Sequence, residues 1–130
     1  GIHGVEPLFT IMGPGCVSVT RIHTEGNDMA VGVWNDGRIG SFRGIRQGRR
    51  GYGSTVFGTK GIVPGGGFDG YEPLIVEIVK FFKTGKAPIA PKETIEMFAF
   101  MEGADVSRDL GGKPVSIAEL IEKAKKANAK

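Results

Sequence analysis

The chain has 130 residues, 40% of them apolar and 24% charged, and a net charge of +3 at pH 7, as is typical of a globular domain with a real core. No apolar run approaches the roughly 18 residues that a membrane-spanning helix needs. The single cysteine, Cys16, excludes an internal disulfide and a cysteine-based zinc site, and 22 glycines without a repeat exclude collagen.

Residues 1–13 predict an anchored helix that carries a proton-transfer pair. The apolar residues of this segment follow the i, i+3, i+4, i+7 spacing that places side chains on one face of a helix: Val5, Leu8, Phe9 and Met12. His3 and Glu6 are three residues apart, so they share one face of such a helix. Gly13, followed by Pro14, predicts its end. A histidine that titrates near neutral pH beside a carboxylate is a candidate general acid–base pair. The alternative is an ordinary surface histidine.

The next segments predict antiparallel strands. Cys16–His23 is the first, and Met29–Trp34 and Arg38–Ile45 flank the hairpin signal Asn35-Asp36-Gly37. A two-residue loop at Asp36-Gly37 would put Met29, Val31, Val33 and Phe42 on one face, and Trp34, Ile39, Ser41 and Arg43 on the other. The second face suits a partner, so the predicted oligomer contacts are Trp34, Ile39 and Arg43.

The second half of the chain changes from strands to helices. Ser54–Thr59 and Ile62–Val63 predict short strands, and Glu72–Lys83 predicts a helix with an apolar face, ended by Gly85. A second helix, from near Pro91 to the Gly111-Gly112 pair, is apolar on most sides, and we expect it to be the most buried. Ser116 and Glu119 form a capping box for a last helix.

A helix, several antiparallel strands and three further helices, in that order, predict the α+β class. We expect one domain over residues 1–130, with an open, mostly antiparallel sheet. Its helices would cover one face and leave the other free for oligomerisation.

Four segments resemble, in order, the C-terminal domain of the glucose-fructose oxidoreductase / inositol dehydrogenase (Gfo/Idh/MocA) family. They are the histidine helix of residues 1–13, D-G-R-I-G-S-F-R-G-I-R at Asp36–Arg46, V-F-G-T-K-G at Val56–Gly61 and the helix and exit at Glu72–Ile89. The following helix, ending near Ser107, also fits, so the resemblance covers essentially the whole chain. It implies an open sheet of the type found in the C-terminal domain of glyceraldehyde-3-phosphate dehydrogenase.

The resemblance also implies an NAD(P)-dependent oxidoreductase acting on a sugar, a polyol or a related hydroxylated substrate, and a homo-oligomer. NAD or NADP would bind a preceding Rossmann domain. His3 matches the family's catalytic histidine, and Glu6 stands where the family commonly has a substrate-binding Asp. From residue type alone, Arg21 and Tyr52 are further candidates for contacting a substrate hydroxyl. The chain has no initiator Met, so an export signal is compatible with the sequence, although a cytoplasmic location is favoured.

A Rossmann fingerprint is missing from the sequence. Gly51-Tyr52-Gly53-Ser54-Thr55-Val56 lacks the last glycine of G-x-G-x-x-G and leads into a predicted strand instead of a helix. We therefore expect these residues alone neither to bind a dinucleotide nor to turn over substrate.

Other functions remain open. The domain could be a non-catalytic oligomerisation or substrate-capture module, or could serve NAD-dependent glycoside cleavage through transient oxidation. The basic segment Gln47–Gly53 resembles nucleic-acid-binding Arg/Gly segments, but it also suits a solvated loop, so we expect no nucleic-acid partner. We expect no membrane partner, and no metal, because His23 near Glu25 lacks a third ligand.

Overall fold

The computed structural model describes residues 2–49, 51–65 and 70–129. Its elements are helix α1 (Ile2–Met12), strands β1 (Cys16–His23), β2 (Asn27–Trp34), β3 (Ile39–Ile45), β4 (Ser54–Gly58) and β5 (Gly61–Gly65), helices α2 (Glu72–Thr84) and α3 (Pro91–Asp109), strand β6 (Val115–Ser116) and helix α4 (Ile117–Asn128). Helix makes up 45% and strand 28%, which confirms the predicted α+β class with an open antiparallel sheet. Within these residues, no helix is long and apolar enough to span a bilayer.

The chain forms two compact units. Unit 1 comprises Gly1–Gly48 and Pro91–Lys130, and unit 2 comprises Arg49–Ala90. That both belong to one domain stays a prediction, and each unit is described by itself below.

Unit 1 is a four-stranded antiparallel sheet in the order β3-β2-β1-β6, with α1, α3 and α4 on one face. Val19 of β1 lies opposite Gly32 of β2, and Gly32 lies opposite Gly40 of β3. These three residues are buried beneath the helices, because strands turn alternate residues to the same face. Among the described residues of unit 1, no helix covers the other face of the sheet, which we call the open face.

Three aromatic rings form the centre of this core. Phe9 of α1 lies 5.6 Å from both Trp34 of β2 and Phe100 of α3, between ring centroids. A Cβ atom at Gly32 would come within 2.8 Å of Trp34 and Phe100, and one at Gly40 within 2.8 Å of Leu8. The two strand glycines therefore allow the helices to approach the sheet closely.

The predicted hairpin register is wrong by one residue. The amide of Gly37 donates to the carbonyl of Trp34, and Gly37 has a φ of +85°. The loop is thus a three-residue turn with a left-handed glycine, not a two-residue loop. Ala30, not Val31, lies opposite Phe42, and Val33 lies opposite Ile39. Trp34 and Phe42 consequently face the helices, and Met29, Val31 and Val33 lie on the open face.

The predicted ends of α1 and α3 agree with the structure. Gly13 has a φ of +69° and donates to the carbonyl of Phe9 at 2.7 Å, as a C-terminal glycine cap does. Helix α3 carries six buried residues, the most of any described helix, although Ile95 and Phe98 on its outer side are exposed. Strand β6, which pairs with β1 through only two residues, was not predicted.

Unit 2 contains the β4–β5 hairpin and α2. The hairpin pairs Ser54–Gly58 with Gly61–Gly65 in antiparallel register. Pro lies in the first turn of α2 and Gly85, with a φ of +67°, ends it, as the sequence predicts. None of the residues of α2 is buried. The sequence also predicts a break at Pro64–Gly70, which contains three consecutive glycines, but residues 66–69 lie outside the described residues.

Candidate functional site

The His3–Glu6 pair lies on the outer side of α1. Nδ1 of His3 is 3.2 Å from Oε2 of Glu6, and 78% of the His3 side chain is exposed. Val5 and Phe9, on the opposite side of the helix, are buried in the core of unit 1. The pair therefore sits on an anchored helix with its imidazole open to solvent, which is the arrangement that the sequence predicts.

The segment after α1 is fixed by hydrogen bonds to side chains from distant elements. The indole N–H of Trp34 donates to the carbonyl of Gly13 at 2.8 Å. Oε1 of Glu96, a buried residue of α3, accepts from the amides of Gly15 at 2.6 Å and Cys16 at 2.7 Å. Because a buried carboxylate satisfies the buried amide of Cys16 and the partly buried amide of Gly15, the end of α1 has a defined position.

A charge network crosses the sheet at the opposite end of unit 1, centred on Asp28. Its Oδ1 accepts from Nε and Nη2 of Arg21, at 2.9 and 2.7 Å, and lies 2.7 Å from Nδ1 of His23. Its Oδ2 accepts from Nε of Arg46 at 2.9 Å and pairs with Nη2 of Arg46 at 2.7 Å. Nη1 of Arg21 donates to Oδ1 of Asp105 on α3. One carboxylate thus joins three cationic or titratable side chains from β1 and the end of β3.

The network keeps Asp28 ionised. Burial alone raises the pKa of its carboxyl, but the hydrogen bonds from His23, Arg21 and Arg46 outweigh this and hold the pKa well below its usual range. Both carboxylate oxygens are occupied by these donors. Asp28 is therefore a fixed anion that organises the arginines around it.

A cavity of about 380 Å³ lies beside this network, on the helix face of the sheet in unit 1. Its apolar lining includes Val5 of α1, Ala30 of β2, Phe42 of β3 and Phe100 of α3. Its polar lining consists of Arg21, Asp28, Arg46 and Asp105. An apolar pocket with a few polar groups at one side is the usual form of a small-molecule site.

The predicted site residues of unit 1 do not form one cluster. His3 and Glu6 pair on the outside of α1, whereas Arg21 lines the cavity on the inner side of the helices. Tyr52 belongs to unit 2 and is 78% exposed. The remaining described residues of the basic segment at 47–53 are exposed and in neither helix nor strand, and Arg50 lies outside the described residues.

The predicted oligomer contacts divide between the two faces of the sheet. Ile39 and Arg43 lie on the open face and are exposed, as expected. Trp34 is only 1% exposed and packs beneath α1 and α3, so its assignment to the open face is wrong. The physical reason is the three-residue hairpin loop, which turns Trp34 inward.

The network around Asp28 was not predicted from the sequence. The pairing of His23 with Asp28 could have been predicted. The turn between β1 and β2 places these two residues opposite each other, with groups of opposite charge on one face of the sheet. The contribution of Asp105 had no such signal, since it lies 84 residues from Arg21. The structure pairs His23 with Asp28, not with Glu25, and among the described residues no group of three acidic, histidine or cysteine side chains could hold a metal ion.

No protein-family model, curated protein or solved structure matches the chain.

Proposed function

We propose that this chain is the substrate-binding and oligomerisation domain of an NAD(P)-dependent oxidoreductase that acts on a sugar, a polyol or a related hydroxylated substrate. Two kinds of observation support the proposal. Four segments resemble the Gfo/Idh/MocA C-terminal domain in the right order, and the α+β fold has helices on one face of an open sheet. When bound to a preceding Rossmann domain, the dinucleotide would accept the hydride.

The observation that carries the proposal is the exposed His3–Glu6 pair on an anchored helix. If the Nδ1–H of His3 donates to Glu6, Nε2 has its lone pair free for the hydroxyl proton of an incoming substrate. The carboxylate would then fix the orientation of the ring and stabilise the imidazolium that forms. The burial of Val5 and Phe9 keeps this pair in place relative to the sheet.

The kinetic test uses the complete protein, including the Rossmann domain that the proposal requires. Oxidation of a panel of sugars and polyols is followed by NADH or NADPH absorbance in the wild type and in His3→Ala. We expect His3→Ala to lower kcat by about 100-fold or more. Thr10→Ala, on the same exposed side of α1, is the matched control and should leave kcat unchanged. Equal rates for His3→Ala and the wild type would overturn the catalytic role.

The open sheet face supports the oligomerisation part of the proposal. Ile22, Met29, Val33, Ile39 and Ile45 are exposed, and all belong to β1, β2 or β3. Cross-strand pairing places Met29 beside Ile22 and Val33 beside Ile39, so apolar side chains from neighbouring strands lie side by side on this face. Arg43, beside Met29, adds a positive charge to it. A patch of this kind on a sheet surface is typical of a contact between protein chains. We propose a second copy of the chain as the partner.

A further inference from the structure

One of the residues that line the cavity beside Asp28 is a glycine at a position where the neighbouring atoms leave space for a side chain. Gly44 of β3 lines the cavity, and a Cβ atom there would meet Phe42 at 3.6 Å and Asp28 at 3.9 Å, which are ordinary contact distances. The glycines at 32 and 40 differ, because a Cβ there would come within 2.8 Å of core side chains. Gly44 thus leaves a void that a small side chain could partly fill. The cavity opens to solvent on the side of Arg46 and Asp105, so a ligand can enter it.

The size and the apolar lining of the cavity suit a small organic molecule. Its volume of about 380 Å³ falls in the lower part of the range of ligand pockets, roughly 300–1,000 Å³. The rings of Phe42 and Phe100, with Val5 and Ala30, form its apolar part. The body of the ligand should therefore be apolar.

The polar lining determines the end group of the ligand. Asp28 is fully occupied, and Arg21 is bound to both Asp28 and Asp105. Within the described residues, the lining side chains still offer Nη1 of Arg46 and Oδ2 of Asp105, which make no hydrogen bond or ion pair. Both side chains are about half exposed, at 52% and 55%. One cation and one anion remain available, so a net anion would meet Asp105 and a net cation would meet Arg46.

We propose that this cavity binds an apolar α-amino acid as its zwitterion. The carboxylate would accept from Nη1 of Arg46, the ammonium would donate to Oδ2 of Asp105, and the side chain would lie against Phe42 and Phe100. A polyol is a poor match, because the saturated network offers few groups to its many hydroxyls. The site is separate from the His3–Glu6 pair on the outer side of α1, so this inference does not depend on the proposed function.

Binding is tested on the full chain by calorimetry and by NMR chemical-shift perturbation, with L-leucine and L-phenylalanine as probes. The comparison probes are 4-methylpentanoate, which lacks the ammonium group, isoamylamine, which lacks the carboxylate, and a cyclic polyol. We expect saturable binding of the amino acids and at least about tenfold weaker binding of each comparison probe, which corresponds to about 1.4 kcal/mol. No saturation by either amino acid up to about 10 mM, or stronger binding of the polyol, would overturn the proposal.

Variants locate the site. Gly44→Val places a side chain in the cavity beside Phe42 and should weaken binding by tenfold or more, whereas Gly26→Ala, at a position with no atom within 4 Å of the added Cβ, is the control. Arg46→Gln and Asp105→Asn should each weaken amino-acid binding by tenfold or more. They also keep the proposal testable if Gly44→Val does not fold. Unchanged affinity in Arg46→Gln and Asp105→Asn would assign the binding to another place.

Discussion

The carboxylate of Glu96, near the start of α3, accepts a hydrogen bond of 2.7 Å from the backbone amide of Cys16, at the start of β1. A second bond from the amide of Gly15 shares the same oxygen. The sequence separates these groups by 80 residues or more. This contact holds the turn after α1 against α3, the described helix with the most buried residues. It therefore fixes the position of α1, which carries His3.

Glu96→Ala is expected to destabilise the protein by about 3 kcal/mol, because it leaves the amides of Gly15 and Cys16 without an acceptor in a buried place. Glu96→Gln keeps an acceptor oxygen and should cost only about 1 kcal/mol, the charge-assisted part of the bonds. Urea unfolding followed by circular dichroism measures both. Glu102→Ala, at an exposed position on the same helix, is the control and should change the free energy of unfolding by less than about 0.5 kcal/mol.

The thiol of Cys16 is expected to be unreactive in the folded protein. Burial, and next the negative charge of Glu96, raise the pKa of this thiol to about 11. At pH 8 the thiolate fraction is then about 100-fold lower than for an ordinary thiol. Labelling with iodoacetamide should therefore be slow in buffer and fast in urea. Labelling at the rate of an exposed thiol in buffer would contradict this.

The same shift predicts a pH effect on stability at the alkaline end. The pKa of Cys16 is raised on folding. The contribution of the neutral thiol to stability is therefore complete at pH values below about 9, the pKa of this thiol in the unfolded chain. The free energy of unfolding should fall as the pH rises from there toward about 11. Cys16→Ala should lose this part of the alkaline slope.

Asp28→Asn is expected to reduce stability at pH 7 by about 3 kcal/mol, since it removes the anion that pairs with the guanidinium of Arg21, whose largely buried side chain is 12% exposed. The pKa of Asp28 is lowered on folding, so its contribution is complete above the unfolded value near 4 and is lost as the pH falls below it. The difference between wild type and Asp28→Asn should thus shrink in acid. Urea unfolding at pH 7 and pH 3 measures this. Glu122→Gln, in an exposed pair with Lys125, should show no such trend.

Ile39→Lys should weaken the proposed contact between two copies of the chain. Ile39 is 67% exposed on the open face, so the substitution should leave the fold intact while placing a charge in the apolar patch. Light scattering after size exclusion should show a dimer or larger assembly for the wild type and a smaller species for Ile39→Lys. Ala118→Lys, at an exposed position of α4, makes the same charge change away from the sheet. A monomeric wild type would contradict the proposed assembly.

The parts of the fold that depend on local sequence signals were predictable. Gly13 and Gly85 end helices in left-handed conformations, and Ser116 accepts from the amide of Glu119, as the patterns indicate. The hairpin register was not predictable, because Asn35-Asp36-Gly37 is compatible with both two-residue and three-residue loops. One residue of register decides whether Trp34 lies in the core or on the open face. Long-range packing settles that choice, and no local pattern reports it.

In the candidate site, too, the features that depend on neighbouring residues were predictable, and those that depend on distant residues were not. The His3–Glu6 pair comes from residues one helical turn apart, so the sequence alone reveals it. The cavity needs Val5, Phe42 and Phe100 from three different elements, together with a glycine whose missing side chain leaves space. Only the assembled unit 1 brings these together.

Unit 2 interrupts the chain of unit 1 between β3 and α3, so the polypeptide leaves unit 1 after Gly48 and rejoins it at Pro91. The chain entropy lost in closing such an excursion grows only with the logarithm of its length, by about 0.6 kcal/mol for each doubling. Lengthening or shortening the excursion therefore changes the closure entropy of unit 1 only slightly, so an insertion of a few residues between Gly48 and Pro91 is tolerated on entropic grounds.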